Sequence, residues 1–104
     1  MNTNEFVYMN IYEACLRYDI HNIIHNGKID RRGRNAFRGF KQPIDKDHKK
    51  LIDNIFRSIN KNLKKKVLSL RAEDPTRDAD DIFNILIMNI IYCGDIIDSL
   101  TTQN

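Results

Sequence analysis

Apolar residues recur along this chain at helical spacing in three long runs, each bounded by residues that start or stop helices. The last run is the most apolar. Ile82, Ile85, Leu86, Met88, Asn89, Ile90, Tyr92, Cys93, Ile96, Ile97 and Leu100 cover well over half of a helix circumference at about 100° per residue. Asp80, Asp81, Asn84, Asp95 and Asp98 share the remaining side. Asp74 and Pro75 supply a capping residue and a tolerated first helical residue, so the pattern predicts a helix over about 75–100. So wide an apolar arc demands burial against two neighbours, or against one neighbour and a second copy of the chain. It is expected to be the central core helix. Its interrupting Asp and Asn residues exclude a membrane span, which needs roughly 20 residues almost free of charge.

The first run predicts a helix over about 5–26, with Thr3 or Asn4 as cap and Asn26-Gly27 as stop. Val7, Ile11, Ala14, Cys15, Tyr18 and His25 gather near one line, widened by Tyr8, Tyr12, Leu16 and Ile23. Asn10, Glu13, Arg17 and His21 form the polar strip. The middle run predicts a helix over about 45–71, capped by Asp45, with Ile52, Ile55, Phe56, Ile59, Leu63 and Leu70 as a clean stripe. Three helices of about 30 Å joined by short or moderate connectors predict an all-α, antiparallel helical bundle forming one domain over 1–104. Three helices leave part of the last one's arc uncovered. Either the segment Arg34–Phe40 closes it as a short fourth helix, or the chain forms a homodimer through Ile85, Asn89, Ile90, Tyr92, Ile96 and Ile97; the dimer is the favoured expectation. Asn89, in mid-arc, is expected to make a buried hydrogen bond that fixes register or partner. Gly94 costs about 1 kcal/mol against Ala in a helix interior, which close approach of another helix would offset.

Between the first two helices lies a connector, 28–43, broken by Gly33, Gly39 and Pro43. Phe37 and Phe40 are expected to pin it to the bundle. It changes the electrostatic picture, because Lys28, Arg31, Arg32, Arg34, Arg38 and Lys41 face only Asp30. Residues 28–71 carry fifteen Lys/Arg against four Asp, a net of +11, while residues 72–104 carry −6 and residues 1–27 carry −2. A charge run is often a solvated face that pairs with acids elsewhere in the chain. Here the segregation also suits an anionic partner, since Arg and Lys neutralise phosphates and release counterions. The expected contact residues are Arg31, Arg32, Arg34, Arg38 and Lys41 of the connector, with Lys50, Arg57, Lys61, Lys64 and Lys65 of the middle helix.

Composition narrows the class further. The hydrophobic share of 41% and charged share of 30% are those of a globular domain, and four Gly and two Pro argue against a many-stranded fold. Ile, Asn and Lys are abundant and Trp is absent, a bias common in A/T-rich genomes of bacteria, phages and large viruses. Cys15 and Cys93 form no metal spacing and no signal peptide precedes the first helix; free thiols in the cytoplasm of a bacterial or infected host cell are expected.

Candidate chemistry is sparse. His21 and His25, at i and i+4, are able to reach one metal but have no evident third ligand. Arg17 and His21 resemble, in residue type, the Arg…His pair of helical RNases of the HEPN type. Three residues separate them where that family has four to six, so membership is not assigned. Asp80–Asp81 and Asp95–Asp98 are explained by the helix dipole and solubility. No phosphate loop, nucleophile elbow or zinc spacing occurs. The sequence therefore predicts a non-enzymatic helical module without cofactor, metal, membrane contact or small-molecule substrate. Its expected partner is nucleic acid or an acidic protein surface. The alternatives are a phage- or virus-type inhibitor acting by steric blockade and, third, a HEPN-like or metal-dependent nuclease.

Overall fold

A computed structural model describes residues 3–29 and 38–92, the last three of these by backbone alone. Among the described residues the regular structure is helical: α1 Thr3–Asn26, α2 Lys46–Asn60, α3 Leu63–Glu73 and α4 Ala79–Tyr92. The all-α expectation holds. Among the described residues α1 packs against each of the other three helices; of the expected central helix only 79–92 is described, and the rest lies outside the described residues. Leu16, Ile20 and Ile23 of α1 meet Leu63 and Val67 of α3 and Ile82 of α4 in a core with almost no solvent exposure. The expected apolar face of α1 is displaced. The buried positions are Glu5, Tyr8, Leu16, Asp19, Ile20, Asn22 and Ile23, whereas Val7 and Tyr18 are 41% exposed. The true face lies about a third of a turn from the line through Val7, Ile11 and Tyr18. Three polar residues are buried on it, so hydrophobicity alone pointed elsewhere.

Cross-helix bonds fix the direction of each element. Asn4 Nδ2 donates to the Pro43 carbonyl at 2.8 Å, Glu5 meets His48 at 2.9 Å, and Tyr12 stacks on Phe56 with ring centres 4.7 Å apart. Position along α1 and along α2 rises together, so these two helices run in the same sense. This corrects the antiparallel expectation. Nineteen residues separate Asn26 from Lys46. Fully extended they reach roughly 60 Å, well beyond the length of about 36 Å that a 24-residue helix spans. The chain thus leaves α1 at its far end and re-enters at its near end. Gly27 (φ +72°) closes α1 by donating its N–H to Ile23 O at 3.0 Å. Phe40 is half-buried with its ring 5.3 Å from Tyr8, the pinning role expected of it; Phe37 lies outside the described residues. α4 runs back along α1: Ala79 and Asp80 stand near His21 and His25, and Phe83 lies under Arg17.

The middle helix is broken, a second correction. Lys61 is extended (φ −63°, ψ 120°) and Asn62 left-handed (φ 57°, ψ 32°), so 45–71 becomes α2 and α3. No Gly or Pro marks the place; Asn is the non-glycine residue that best tolerates this conformation. Lys66 supports the corner by donating from Nζ to Ser58 O and Ile59 O, both at 3.2 Å, which satisfies carbonyls at the end of α2. Asn62→Val should therefore cost about 1–2 kcal/mol in denaturant unfolding, and Asn62→Gly should cost nothing.

The helix starts follow capping chemistry. Asp45 caps α2 as expected, accepting from Asp47 N (2.9 Å) and His48 N (3.1 Å). α4 starts later than predicted. Asp78, not Asp74, caps it: Asp81 N donates to Asp78 Oδ1 at 2.9 Å, and Asp78 N donates to Asp81 Oδ2 at 3.1 Å. Asp74 instead closes a turn, accepting from the Thr76 hydroxyl (2.6 Å) and N–H (3.0 Å), bonds that hold its carboxyl below the usual range.

Candidate polyanion-binding face

Of the ten basic residues singled out by the sequence, Arg38, Lys41, Lys50, Arg57, Lys61, Lys64 and Lys65 are exposed; Arg31, Arg32 and Arg34 lie outside the described residues. On α2 they join into one row. Lys46, Lys49, Lys50 and Arg57 surround a depression of about 330 Å³. Arg57 and Lys61 line an adjoining one of about 540 Å³, and Asn54 is shared by both. Lys46 and Lys49, not among the expected contacts, join the row from the first turn of α2, beside its cap Asp45. The break at Asn62 places Lys64 and Lys65 on a separate helix, α3.

Among the described residues Asp53 is the one acid lining the row's depressions, and its charge is turned inward. It accepts from the Tyr8 hydroxyl at 2.6 Å and the Tyr12 hydroxyl at 2.5 Å. Burial and then the neighbouring carboxylate push Tyr8 up to about 12, and the same causes raise Tyr12 further.

No ion pair joins Lys50, Arg57, Lys61, Lys64 or Lys65 to an acid among the described residues. The acidic stretch after α3 closes on itself. Arg77 donates to Glu73 Oε2 (3.0 Å) and Leu70 O (2.9 Å), while Arg71 donates to Arg77 O at 2.7 Å. Lys64, Lys65 and Lys66 fill the first turn of α3, which holds no acid and whose cap, Asn62, makes no side-chain bond. A helix start is the positive end of its dipole, so each cation there is disfavoured by about 0.3–1 kcal/mol. Lys66 finds compensation in the α2 carbonyls. Lys64 and Lys65 find none among the described residues.

The other candidates are placed but not assembled. The His21 and His25 rings lie tilted against each other at 46° with centres 4.2 Å apart, and with Arg17, Arg71, Asp78 and Asp80 they line a cleft of about 580 Å³. The Arg17 guanidinium lies 4.3 Å over the Phe83 ring, held by a cation–π contact. Among the described residues no three His, Cys, Asp or Glu side chains gather to hold a metal. Cys15 is half-buried; Cys93 lies outside the described residues. Of the expected dimer residues, Ile85 is half-buried and Asn89 exposed; the side chains of Ile90 and Tyr92, and all of Ile96 and Ile97, lie outside the description. Asn89 therefore makes no buried bond within the described part of the single chain. The helix turns its buried side, Ile82, Phe83 and Leu86, to α1 and α2 and leaves Asn89 on the edge of a groove.

No helix among the described residues is long and apolar enough to cross a membrane. No protein-family profile, curated protein or solved structure matches the chain.

Proposed function

We propose that this all-helical chain is a binding module that engages a polyanion, with nucleic acid the preferred partner. The contact runs along the α2 row of Lys50, Arg57 and Lys61, onto Lys64 and Lys65 of α3, and includes the connector residues Arg31, Arg32, Arg34, Arg38 and Lys41. The observation that carries this reading is the placing of Lys64 and Lys65 at the start of α3. Stability would put acids there. A local choice that works against the fold is the mark of a residue kept for another purpose, and phosphate binding is the use that exposed cations serve. The reading is of binding and not of turnover. Its test is fluorescence anisotropy with labelled single-stranded RNA and duplex DNA across a salt series. Binding should weaken linearly in log K against log salt, with a slope of at least about −3 if four or more phosphates are neutralised. Failure to bind either probe at low salt, or binding indifferent to salt, would refute it.

A further inference from the structure

Two guanidiniums line the cleft of about 580 Å³ between the end of α1, the end of α3 and the start of α4, and neither is held there by an acid. Arg17 is anchored by the buried Phe83 ring, 4.3 Å away, and Arg71 by the Arg77 carbonyl at 2.7 Å. No carboxylate lies within ion-pair distance of either among the described residues. Neutral anchors fix the planar fork and leave its charge and its remaining N–H groups for a ligand. Beside them the exposed His21 and His25 rings, with centres 4.2 Å apart, each offer an N–H donor whatever their charge. The acids nearby are differently placed. Asp78 caps α4 by accepting from Asp81 N, and Glu73 pairs with Arg77 without lining the cleft. Asp80 is the lining carboxylate that makes no bond among the described residues.

We propose that this cleft binds the phosphate of a phosphate monoester. The cleft shares no residue with the basic row, so the proposal does not rest on polyanion binding there. What selects the ligand is the number and fixing of the donors rather than net charge. A carboxylate has two oxygens, which one guanidinium fork satisfies. Two forks and two imidazoles call for an anion with more acceptors, and a monoester presents three oxygens and a charge of about −1.5 to −2 at pH 7. A phosphodiester inside a strand offers fewer free oxygens and a single charge. Anchoring also lowers the ordering cost of binding, because both Arg side chains are already held. The cleft is larger than a phosphate needs. It falls in the range of roughly 300–1,000 Å³ that encloses an organic ligand, and Tyr18 and Ile24 line it beside the donors. The phosphate is therefore expected to carry an organic group, either a small molecule such as a nucleotide or the 5′ end of a nucleic-acid strand.

Imidazole NMR signals at neutral pH and constant ionic strength test this, with inorganic phosphate, 5′-AMP and adenosine as probes. Phosphate and AMP should shift the His21 and His25 signals saturably, and adenosine should leave them in place. His48, bonded to Glu5 at the other end of α1, should not move. Arg17→Gln and Arg71→Gln should each weaken binding about tenfold or more, the loss of charge-assisted bonds, with circular dichroism unchanged. Should either variant unfold, His25→Ala at an exposed position should give a comparable weakening, read at His21. AMP binding more tightly than inorganic phosphate supports a small phosphorylated ligand. A 5′-phosphorylated dinucleotide binding more tightly than AMP, and than its 5′-hydroxyl form, supports the end of a strand. Absence of a saturable shift by about 10 mM of either phosphate probe overturns the proposal, as does binding unchanged in all three variants. Shifts at His48 without shifts at His21 and His25 would place the anion at the start of α2, which overturns this proposal and leaves the α2 row's reading standing.

Discussion

Asp53→Ala should lower the unfolding free energy by about 2–4 kcal/mol, the largest effect expected of any single substitution outside the apolar core. One carboxylate accepts from two phenols, Tyr8 and Tyr12, and so ties the middle of α2 to the first half of α1. A hydrogen bond to a charged group contributes about 1.5–3 kcal/mol. Because the two bonds share an acceptor, their effects will not add. Tyr8→Phe and Tyr12→Phe should each cost less than Asp53→Ala, and cycles combining them should show coupling. Denaturant midpoints measure all of these.

The same site fixes an alkaline limit. The Tyr8 pKa is raised from 10.0 to about 12 in the folded chain. A raised pKa means the neutral form is favoured by folding, so the contribution is complete below about 10 and is lost as pH climbs through about 12. The helical signal should fall in that window along with the appearance of tyrosinate absorbance. In Asp53→Asn the tyrosines should titrate earlier, because the carboxylate raises both. If Asp53→Ala unfolds at the parent's denaturant concentration, the phenol bonds contribute nothing net.

Which parts of this architecture could be read in advance follows from where apolarity and burial coincide. On α2 they coincide: Ile52, Phe56 and Ile59 are buried as the stripe requires, and Asp45 caps as its position suggests. On α1 they part, because Glu5, Asp19 and Asn22 occupy the buried side while Phe6, Val7 and Tyr18 face out. Glu5, only 2% exposed, is held by His48, a partner 43 residues away that no local pattern reveals. The parallel run of α1 and α2 was hidden for a related reason. A connector of nineteen residues permits either direction, and the choice is made by long-range contacts such as Asn4 with Pro43. The break at Asn62 lacks Gly and Pro, so helical periodicity ran straight through it. The basic residues, by contrast, were legible one by one from charge alone. Their continuity along α2, and the separation of Lys64 and Lys65 by the corner, needed the fold.

Reversing Lys50, Lys64 and Lys65 to Glu should abolish most nucleic-acid binding while leaving the melting temperature unchanged or slightly raised. All three are exposed and none meets an acid among the described residues, so replacement removes no packing and no ion pair there. Two of them lie in the first turn of α3, where exchanging cation for anion turns an unfavourable dipole interaction into a favourable one, about 0.3–1 kcal/mol in each sense. Binding moves the other way. At a slope of about 0.9 per phosphate, three lost contacts near 0.1 M salt amount to roughly 500-fold in affinity, and the salt slope itself should fall by about three. Opposite signs for stability and binding are what make the experiment decisive. A solvated face that merely keeps the chain soluble would lose neither affinity nor slope. A set of charges needed by the fold would lower the melting temperature together with binding. Only a partner-binding surface, carried at some cost to the helix that displays it, gives a protein that is at least as stable and binds hundreds of times more weakly.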